Sequence, residues 1–345
     1  MKQTSFFKQL AVFFDTYLPE TRGCSKNTIA SYADGFSILF RFFYEVKGKA
    51  NYLINFKDLT PQSFDEYILW MQNTMHYSPA TQRQRLAAVN SFLKYASRRE
   101  MTAVTALSAS ENSKTPKIPQ GRFSFCTVDE IKVLLRLPLS GGKAGNRDQT
   151  LLALLYDSGA RAQEICDLKI SDVSLGQHNK VVLHGKGLKV REVPISQDVA
   201  KLVRHYLSSK NRLGTDHKHE YLFPSQRCKK MTTSCVRNIV AKYVSWGRKE
   251  HPELFPDASY SPHSFRHSKA MHMLEAEVPL IYIRNFLGHE SVQTTERYLK
   301  ISQGAVANAV MNHAQRAVLP KEMPLESSRN YNLLPNFIER AKSLK

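Results

Sequence analysis

The sequence has few cysteines and no long hydrophobic run. None of its apolar stretches approaches the roughly 18 residues that a membrane-spanning helix needs. The apolar amino terminus is interrupted by Asp15, and no small-residue cleavage site follows it. The five cysteines are odd in number and form no CxxC pair, which does not fit a disulfide framework. We therefore expect a protein of the reducing cytoplasm with no membrane partner.

Acidic residues are also scarce. The 345-residue chain has 49 Lys and Arg against 30 Asp and Glu, a formal net charge of +19. Residues 1–110 carry 13 basic and 8 acidic side chains, and residues 111–345 carry 36 and 22. This excess favours a polyanionic partner, since each cation set against a phosphate releases a condensed counterion. We expect nucleic acid, and hence a nucleoid-associated protein, with an anionic membrane or a ribosome-type assembly as alternatives.

Common devices of phosphate chemistry are absent from the sequence. No segment matches the P-loop pattern GxxxxGK[ST], and no short segment concentrates the carboxylates of a two-metal nuclease. His217 and His219, followed by Cys228 and Cys235, fit no standard zinc-finger spacing. We therefore expect no metal, no nucleotide and no other cofactor.

The fold class predicted is mainly α with a small β-sheet or hairpin. Apolar residues recur at spacings of three and four in two segments of residues 1–110, after a candidate cap at Ser25 or Asn27 and from about residue 78. They are Ile29, Tyr32, Phe36, Leu39, Phe40 and Phe43 in the first segment, and Leu86, Val89, Phe92, Leu93 and Ala96 in the second. Three basic residues of the second segment, Arg83, Arg85 and Lys94, are candidates for DNA contact, although such a helix is also often only solvated.

Residues 111–121, with two prolines and a glycine, are predicted to be a linker. A mixed α+β domain then occupies residues 122–318 and begins at the capping-box spacing of Thr127 and Glu130. It contains a helix–turn–helix broken at Gly159 and a β-hairpin around residues 185–187. The tail, residues 319–345, ends in an amphipathic segment that can pack on its own chain or on a neighbour.

A metal-free set of residues in this second domain can carry chemistry. It comprises Arg161, Glu164, Lys186, His263, Arg266, His289 and Tyr298. Each has an ordinary structural explanation when taken alone: a surface ion pair, a solubilising hairpin-tip lysine, a helix cap or a half-buried tyrosine. Taken together, the order of these residues and the intervals between them favour a catalytic role over these structural explanations.

Four segments in this order resemble known motifs. They are GARAQEICDL, HGKGLKVREVPI, SPHSFRHSKAMHMLE and FLGHESVQTTERYLK. They are similar to the first arginine box, the lysine hairpin, the HxxR box and the LGH box with its nucleophilic tyrosine in the tyrosine recombinases, the phage integrase family. The segment SPATQRQRLAAVNSFLKYA is similar to that family's helical core-binding domain. One departure is Phe265, where an aliphatic residue is more usual.

The resemblance implies a simple two-domain recombinase without an arm-binding domain. Tyr298 would be the nucleophile, Arg161 and Arg266 would hold the phosphate oxygens, and Lys186 would be the general acid. His263 would be the general base or a positioner near the tyrosine, His289 would donate to the phosphate, and Glu164 would orient neighbouring side chains. The family pattern gives His267 no role, so a structural one is expected.

The function implied is site-specific DNA recombination through a 3′-phosphotyrosyl intermediate and a Holliday junction, without metal or ATP. A homo-tetramer on two double-stranded sites would carry it out, with the tail helix docked on an adjacent protomer. The element served (phage, transposon, integron or chromosome dimer) and any accessory proteins stay open. The alternatives are relaxation of DNA as by a type IB topoisomerase, and DNA binding by an inert regulator.

Overall fold

The computed structural model describes residues 4–113, 124–185, 189–214, 216–225, 229–255, 260–289, 295, 296 and 298. Lys186, most of the predicted linker and the whole predicted tail lie outside the described residues. The chain divides into two compact units, residues 1–122 and residues 123–345. Among the described residues, none of the helices is both long and apolar enough to cross a membrane.

The first unit is helical wherever it has regular structure in the described residues. Its helices are α1 Ser5–Val12, continued by a π-helix Phe13–Thr21, then α2 Lys26–Lys47, α3 Pro61–Asn73, α4 Pro79–Ala96 and α5 Met101–Asn112, with short 3₁₀ turns at Asn51–Leu53 and Phe56–Asp58. The side chains of Ser25 and Ser78 each accept a hydrogen bond from a backbone N–H of the first turn that follows. Ser25, rather than Asn27, is therefore the cap of α2.

Aromatic rings fill the centre of this unit. The ring of Phe92 on α4 lies 5.1 Å from that of Phe6, 5.4 Å from Phe13 and 5.5 Å from Phe36, each in an edge-to-face arrangement. The buried stripe predicted for α4 is confirmed in full, whereas on α2 only Phe36, Leu39 and Phe43 of the predicted stripe are buried. The remaining three positions of that stripe are only partly buried against the same core.

The second unit combines helices with one small sheet. Its elements are α6 Val128–Arg136, α7 Gly145–Asp157, α8 Ala162–Asp167, β1 Val173–Ser174, β2 Lys180–His184, β3 Val190–Pro194, α9 Gln197–Ser208, α10 Thr233–Glu250, α11 Pro262–Glu275 and α12 Leu280–Leu287. The three strands are antiparallel in the order β1-β2-β3. The mainly helical fold with a small hairpin sheet is as predicted, and the capping box of Thr127 and Glu130 is present at the start of α6.

The register of the hairpin points one face of β3 inward. Val181 lies opposite Val193, and Leu183 lies opposite Arg191. Val181, Leu183 and Val193 are fully buried. Since alternate side chains of a strand share a face, Arg191 is directed toward the interior with them. A charged side chain at such a position requires a partner inside the unit.

The turn at Gly159 and the start of α11 position the segments that contain Arg161 and Arg266. Gly159, at φ +57°, turns the chain after the end of α7, and α8 begins three residues later. Helix α11 begins at Pro262, as predicted, behind Ser261, whose backbone N–H donates to the Ser264 hydroxyl. The Ser268 hydroxyl of α11 accepts a hydrogen bond from the backbone N–H of Cys126 at 2.7 Å, which holds this helix against the segment that precedes α6.

Candidate active site

Glu164 is the centre of a buried ion cluster at the start of α8. Its carboxylate accepts hydrogen bonds from the backbone N–H of Arg161 at 2.8 Å and from the Arg161 guanidinium at 2.9 Å. Arg191 donates to both of its oxygens, at 2.9 and 2.7 Å. Burial by itself raises the pKa of Glu164, but the hydrogen bonds from Arg191 and Arg161 outweigh it and hold that pKa below its usual value. Glu164 is thus ionised and joins two arginines.

Arg191 was not among the residues singled out from the sequence. Its guanidinium is the inward charge of β3, and its side chain is only 14% exposed. Gly288, at φ +65°, allows the close approach of this side chain, because a Cβ at that position would lie 3.1 Å from the Arg191 Cδ. The sequence signal was a charged residue on the apolar face of a strand, two positions before Val193.

Arg266 is anchored on main-chain oxygens. Its guanidinium donates to the carbonyl of Gly159 and to the carbonyl of Leu287, both at 2.6 Å. Burial, followed by the nearby charge of Arg161, lowers the pKa of Arg266 to about 9. The group still carries its charge at neutral pH, and its hydrogen bonds to these two carbonyls use only two of the five N–H bonds of a guanidinium.

Tyr298 is packed by the two helices that precede it, α11 and α12. It is 1% exposed and belongs to a small apolar cluster formed by α11 and α12. The other buried members are Ala270, Met271, Leu274, Ile283 and Leu287. The ring is therefore held by close packing on its apolar sides.

Two histidines contact this tyrosine. Nδ1 of His267 lies 3.0 Å from the Tyr298 hydroxyl oxygen. The ring of His289 lies nearly parallel to that of Tyr298, with centroids 6.3 Å apart, and its Nδ1 is 2.9 Å from the hydroxyl of Thr295. Burial, followed by the charge of Arg266, lowers the pKa of His289 to about 4, so the ring is neutral at neutral pH.

His263 lies on the exposed side of the same group. Its ring centroid is 6.4 Å from that of His267. Loss of hydration, then the charges of Arg266 and Arg161, lowers the pKa of His263 below its usual value. The histidine nitrogen found within hydrogen-bond distance of the Tyr298 hydroxyl belongs to His267, for which only a structural role was expected.

The assembled residues have an excess of positive charge. The guanidiniums of Arg161, Arg191 and Arg266 lie around the single carboxylate of Glu164. Like charges gathered in a partly dehydrated site repel one another unless an anion is bound. The Arg161 side chain is 39% exposed, so the cluster is accessible from solvent on one side. The arrangement is suited to an anion such as a phosphodiester.

The candidate DNA contacts of the first unit have protein partners. Arg85 lies 3.6 Å from Asp34 and donates to the carbonyl of Ser31 at 3.5 Å. Lys94 forms an exposed ion pair with Glu111 at 3.1 Å. The exposed Arg83 lines an open groove of about 270 Å³ between α4 and the end of α5. The DNA-binding role of the three residues stays a prediction.

Comparison with known proteins decides the family. The model of the phage integrase family matches residues 124–304, more than half of the chain. The model of the phage integrase N-terminal SAM-like domain matches residues 10–103. The chain belongs to the phage integrase family. It is a tyrosine recombinase, an enzyme of site-specific DNA recombination.

Relatives of similar length support this assignment. The chain is 33% identical over 225 residues to the tyrosine recombinase XerC of Syntrophus aciditrophicus, an alignment that covers 64% of this chain and 69% of that one. It is 30% identical over 314 residues to XerC of Chlamydia trachomatis serovar D, with 87% and 94% covered. A putative integrase/recombinase of Sinorhizobium fredii, y4rC, is 29% identical over 308 residues, with 87% and 89% covered.

Solved structures share the recombinase fold at lower identity. The XerH recombinase bound to its difH substrate superposes with a TM-score of 0.63 at 19% identity, covering 86% of this chain and 83% of that one. The Tn1549 transposon integrase in complex with transposon right end DNA gives 0.63 at 18% identity, with 88% and 98% covered.

Proposed function

We propose that this recombinase cuts and rejoins DNA by covalent catalysis through Tyr298. The phenolic oxygen forms a bond to phosphorus as the bond from phosphorus to the 5′-oxygen breaks, leaving a 3′-phosphotyrosyl link and a free 5′-hydroxyl. A 5′-hydroxyl of the partner duplex reverses the step and releases the tyrosine. The energy of the phosphodiester bond is retained in the link, so no external energy source is needed.

The observation that carries the proposal is the cluster around Glu164 beside Tyr298. Arg161 and Arg266 bracket the site, and each keeps N–H groups free of the contacts described above. Two guanidiniums can hold both non-bridging oxygens and stabilise the charge that develops on them in the transition state. Glu164 and Arg191 keep Arg161 in place for this task.

Proton transfer accompanies both bond changes. A tyrosine has a reference pKa of about 10, so the hydroxyl is almost fully protonated at neutral pH. His263 is the proposed acceptor of the tyrosine's proton, since its lowered pKa keeps it neutral and it lies beside Arg266 and Arg161. Lys186 is the proposed donor to the departing 5′-oxygen, and His289 donates to the phosphate.

The proposed assembly is a homo-tetramer on two double-stranded sites, with the cell's nucleoid as the place of action. Pairwise strand exchange within it produces a Holliday junction. The tail supplies a contact in trans, because residues 325–345 have the apolar spacing of an amphipathic helix. Deleting residues 325–345 is expected to weaken assembly of the synaptic complex on DNA, as measured by native gel and light scattering. Unchanged synapsis would refute the tail contact.

Covalent trapping tests the proposed phosphotyrosyl chemistry and identifies the DNA target sequence in one experiment. The protein is incubated with fragmented genomic DNA of its source, denatured, and the protein-linked fragments are sequenced to their attached nucleotide. A nicked duplex carrying the recovered site then traps the adduct, because the short cut strand diffuses away. Wild-type protein is expected to form this adduct and Tyr298→Phe to form none.

The same site distinguishes the other activities. Exchange of strands between two labelled duplexes supports recombination, whereas relaxation of a supercoiled plasmid without exchange supports topoisomerase action. Specific binding without any adduct would identify a regulator. An adduct that persists in Tyr298→Phe would show that another residue is the nucleophile.

A further inference from the structure

The Tyr298 hydroxyl has a nitrogen partner that the family motifs do not assign. Nδ1 of His267 lies 3.0 Å from that oxygen, and the two ring planes are inclined by 59°. We propose that His267 is a positioning residue for the nucleophile: its Nδ1–H donates a hydrogen bond to the Tyr298 hydroxyl oxygen and fixes where that oxygen stands, which leaves the hydroxyl proton for His263. The proposal rests on the proposed function, in which Tyr298 attacks the phosphate.

Packing alone does not set the position of that oxygen. The apolar cluster of α11 and α12 packs against the ring of Tyr298, and the side chains of its other buried members carry no nitrogen or oxygen atom that could be a hydrogen-bond partner of the hydroxyl. A phenol that is 1% exposed needs such a partner, since an unsatisfied buried hydroxyl costs about 1–3 kcal/mol. His267 is such a partner, and it directly follows Arg266 on α11. The positions of the nucleophile and of a phosphate-holding arginine are therefore both set by this helix.

The helix also fixes the ring that does the positioning. His267 follows Arg266, whose guanidinium is tied to the carbonyls of Gly159 and Leu287. It precedes Ser268, which is tied to the backbone of Cys126. The backbone on both sides of His267 is therefore anchored to other segments of the unit. Movement of the imidazole relative to Arg266 is correspondingly restricted.

Helix α11 contains a matched control for this contact. Nδ1 of His272 lies 2.9 Å from the hydroxyl of Tyr156 on α7, with ring centroids 5.8 Å apart. This pair has the same chemistry as that of His267 and Tyr298, but its tyrosine is not the nucleophile. Replacing either histidine removes one histidine–tyrosine hydrogen bond from the same helix.

The experiment compares His267→Ala, His267→Asn and His272→Asn on the nicked duplex recovered by covalent trapping. Single-turnover adduct formation is measured at saturating protein, together with DNA affinity by gel shift and unfolding in urea. We expect His267→Ala to slow adduct formation roughly 100-fold, the scale of a misplaced reacting group, with little change in affinity. His267→Asn, whose Nδ2 can stand near the former Nδ1 and donate the same bond, is expected to recover most of the rate. His272→Asn is expected to react like wild type.

A second readout separates positioning from a general loss of structure. Hydrogen peroxide, offered to Tyr298→Phe as a small replacement nucleophile, attacks the phosphate without using the tyrosine. Adding His267→Ala to Tyr298→Phe is expected to leave any peroxide-driven cleavage unchanged, because His267 acts through the tyrosine. Adding Arg161→Ala is expected to abolish it.

Each contrary result has a distinct meaning. Normal or faster adduct formation by His267→Ala would overturn the proposal, as would an Asn variant as slow as the Ala variant, which would indicate proton acceptance instead. Equal slowing by His272→Asn would mean that the slower adduct formation comes from a loss of stability of α11. Failure of the wild-type protein to form any adduct would refute the proposed function itself and is visible before any histidine is changed.

Discussion

Arg191 of strand β3 and Glu164 of helix α8 form a two-pronged ion pair, with guanidinium nitrogens 2.9 and 2.7 Å from the two carboxylate oxygens. The pair joins the hairpin to the helix that begins directly after Arg161. Because Glu164 also binds Arg161, the hairpin and the phosphate-binding arginine share one carboxylate.

Arg191→Met is expected to destabilise the protein by about 3 kcal/mol, because it leaves the buried Glu164 with one cationic partner instead of two. It is also expected to reduce adduct formation, since Arg161 loses part of its support. Urea unfolding and single-turnover cleavage measure the two effects. Lys180→Met on the same hairpin is the control: its pair with Glu192 is exposed, so a change of under about 1 kcal/mol is expected. Equal effects of the two substitutions would argue against a special role for Arg191.

Gly288→Ala is expected to cost more stability than Gly48→Ala. Both glycines have positive φ, +65° and +59°, so each substitution carries a backbone penalty of about 1–2 kcal/mol. A Cβ at Gly288 would also lie 3.1 Å from Arg191, whereas a Cβ at Gly48 would meet nothing within 4 Å. Only Gly288→Ala is expected to lower the cleavage rate, and similar losses of stability and rate in both variants would contradict the crowding against Arg191.

The free protein is expected to lose stability as the pH falls from about 6.5 toward 4. Burial lowers the pKa of His289 to about 4, and it also lowers the pKa values of His263 and His272. In this window the unfolded chain binds protons that the folded chain does not, so protons favour unfolding. Chemical denaturation at pH 7 and pH 5 measures the loss, and His289→Asn is expected to diminish it. A pH dependence identical in wild type and variant would exclude His289 as a contributor.

Phe92→Ala is expected to destabilise the first unit by about 3–5 kcal/mol, because it opens a cavity among Phe6, Phe13 and Phe36. Limited proteolysis and urea unfolding, with sequencing of the first cleavage products, would locate the loss in residues 4–113. Tyr44→Ala, at a position 71% exposed, is the control and is expected to change stability by less than about 0.5 kcal/mol. A Phe92 variant as stable as the control would mean that the aromatic core repacks.

Local patterns in the sequence were sufficient to predict the main helices and strands and part of the candidate active site. Ser25, one of the two predicted candidates, and the pair Thr127–Glu130 cap helices, because caps depend on atoms within one turn. The contact of Arg161 with Glu164 is equally local, at i and i+3. Contacts between distant segments were not accessible in this way.

Arg191 and His267 illustrate the difference. The partner of Arg191 lies 27 residues away and that of His267 lies 31 residues away, so only the folded chain brings each pair together. Arg191 did leave a trace in the sequence, as a charge on the inward face of a strand. His267 shared a helix face with His263, but nothing in the spacing could tell which of the two rings meets the tyrosine.

The anchoring of Arg266 on the carbonyls of Gly159 and Leu287 has a consequence for how this protein can vary. Every amino acid carries a carbonyl, so replacement of the side chain at position 287 by another apolar one leaves the acceptor in place. Glu164, by contrast, is held by particular side chains, and each of them must be retained or replaced in concert. The acceptor that residue 287 provides for Arg266 is thus insulated from sequence drift, whereas Arg161 depends on side chains that must change together.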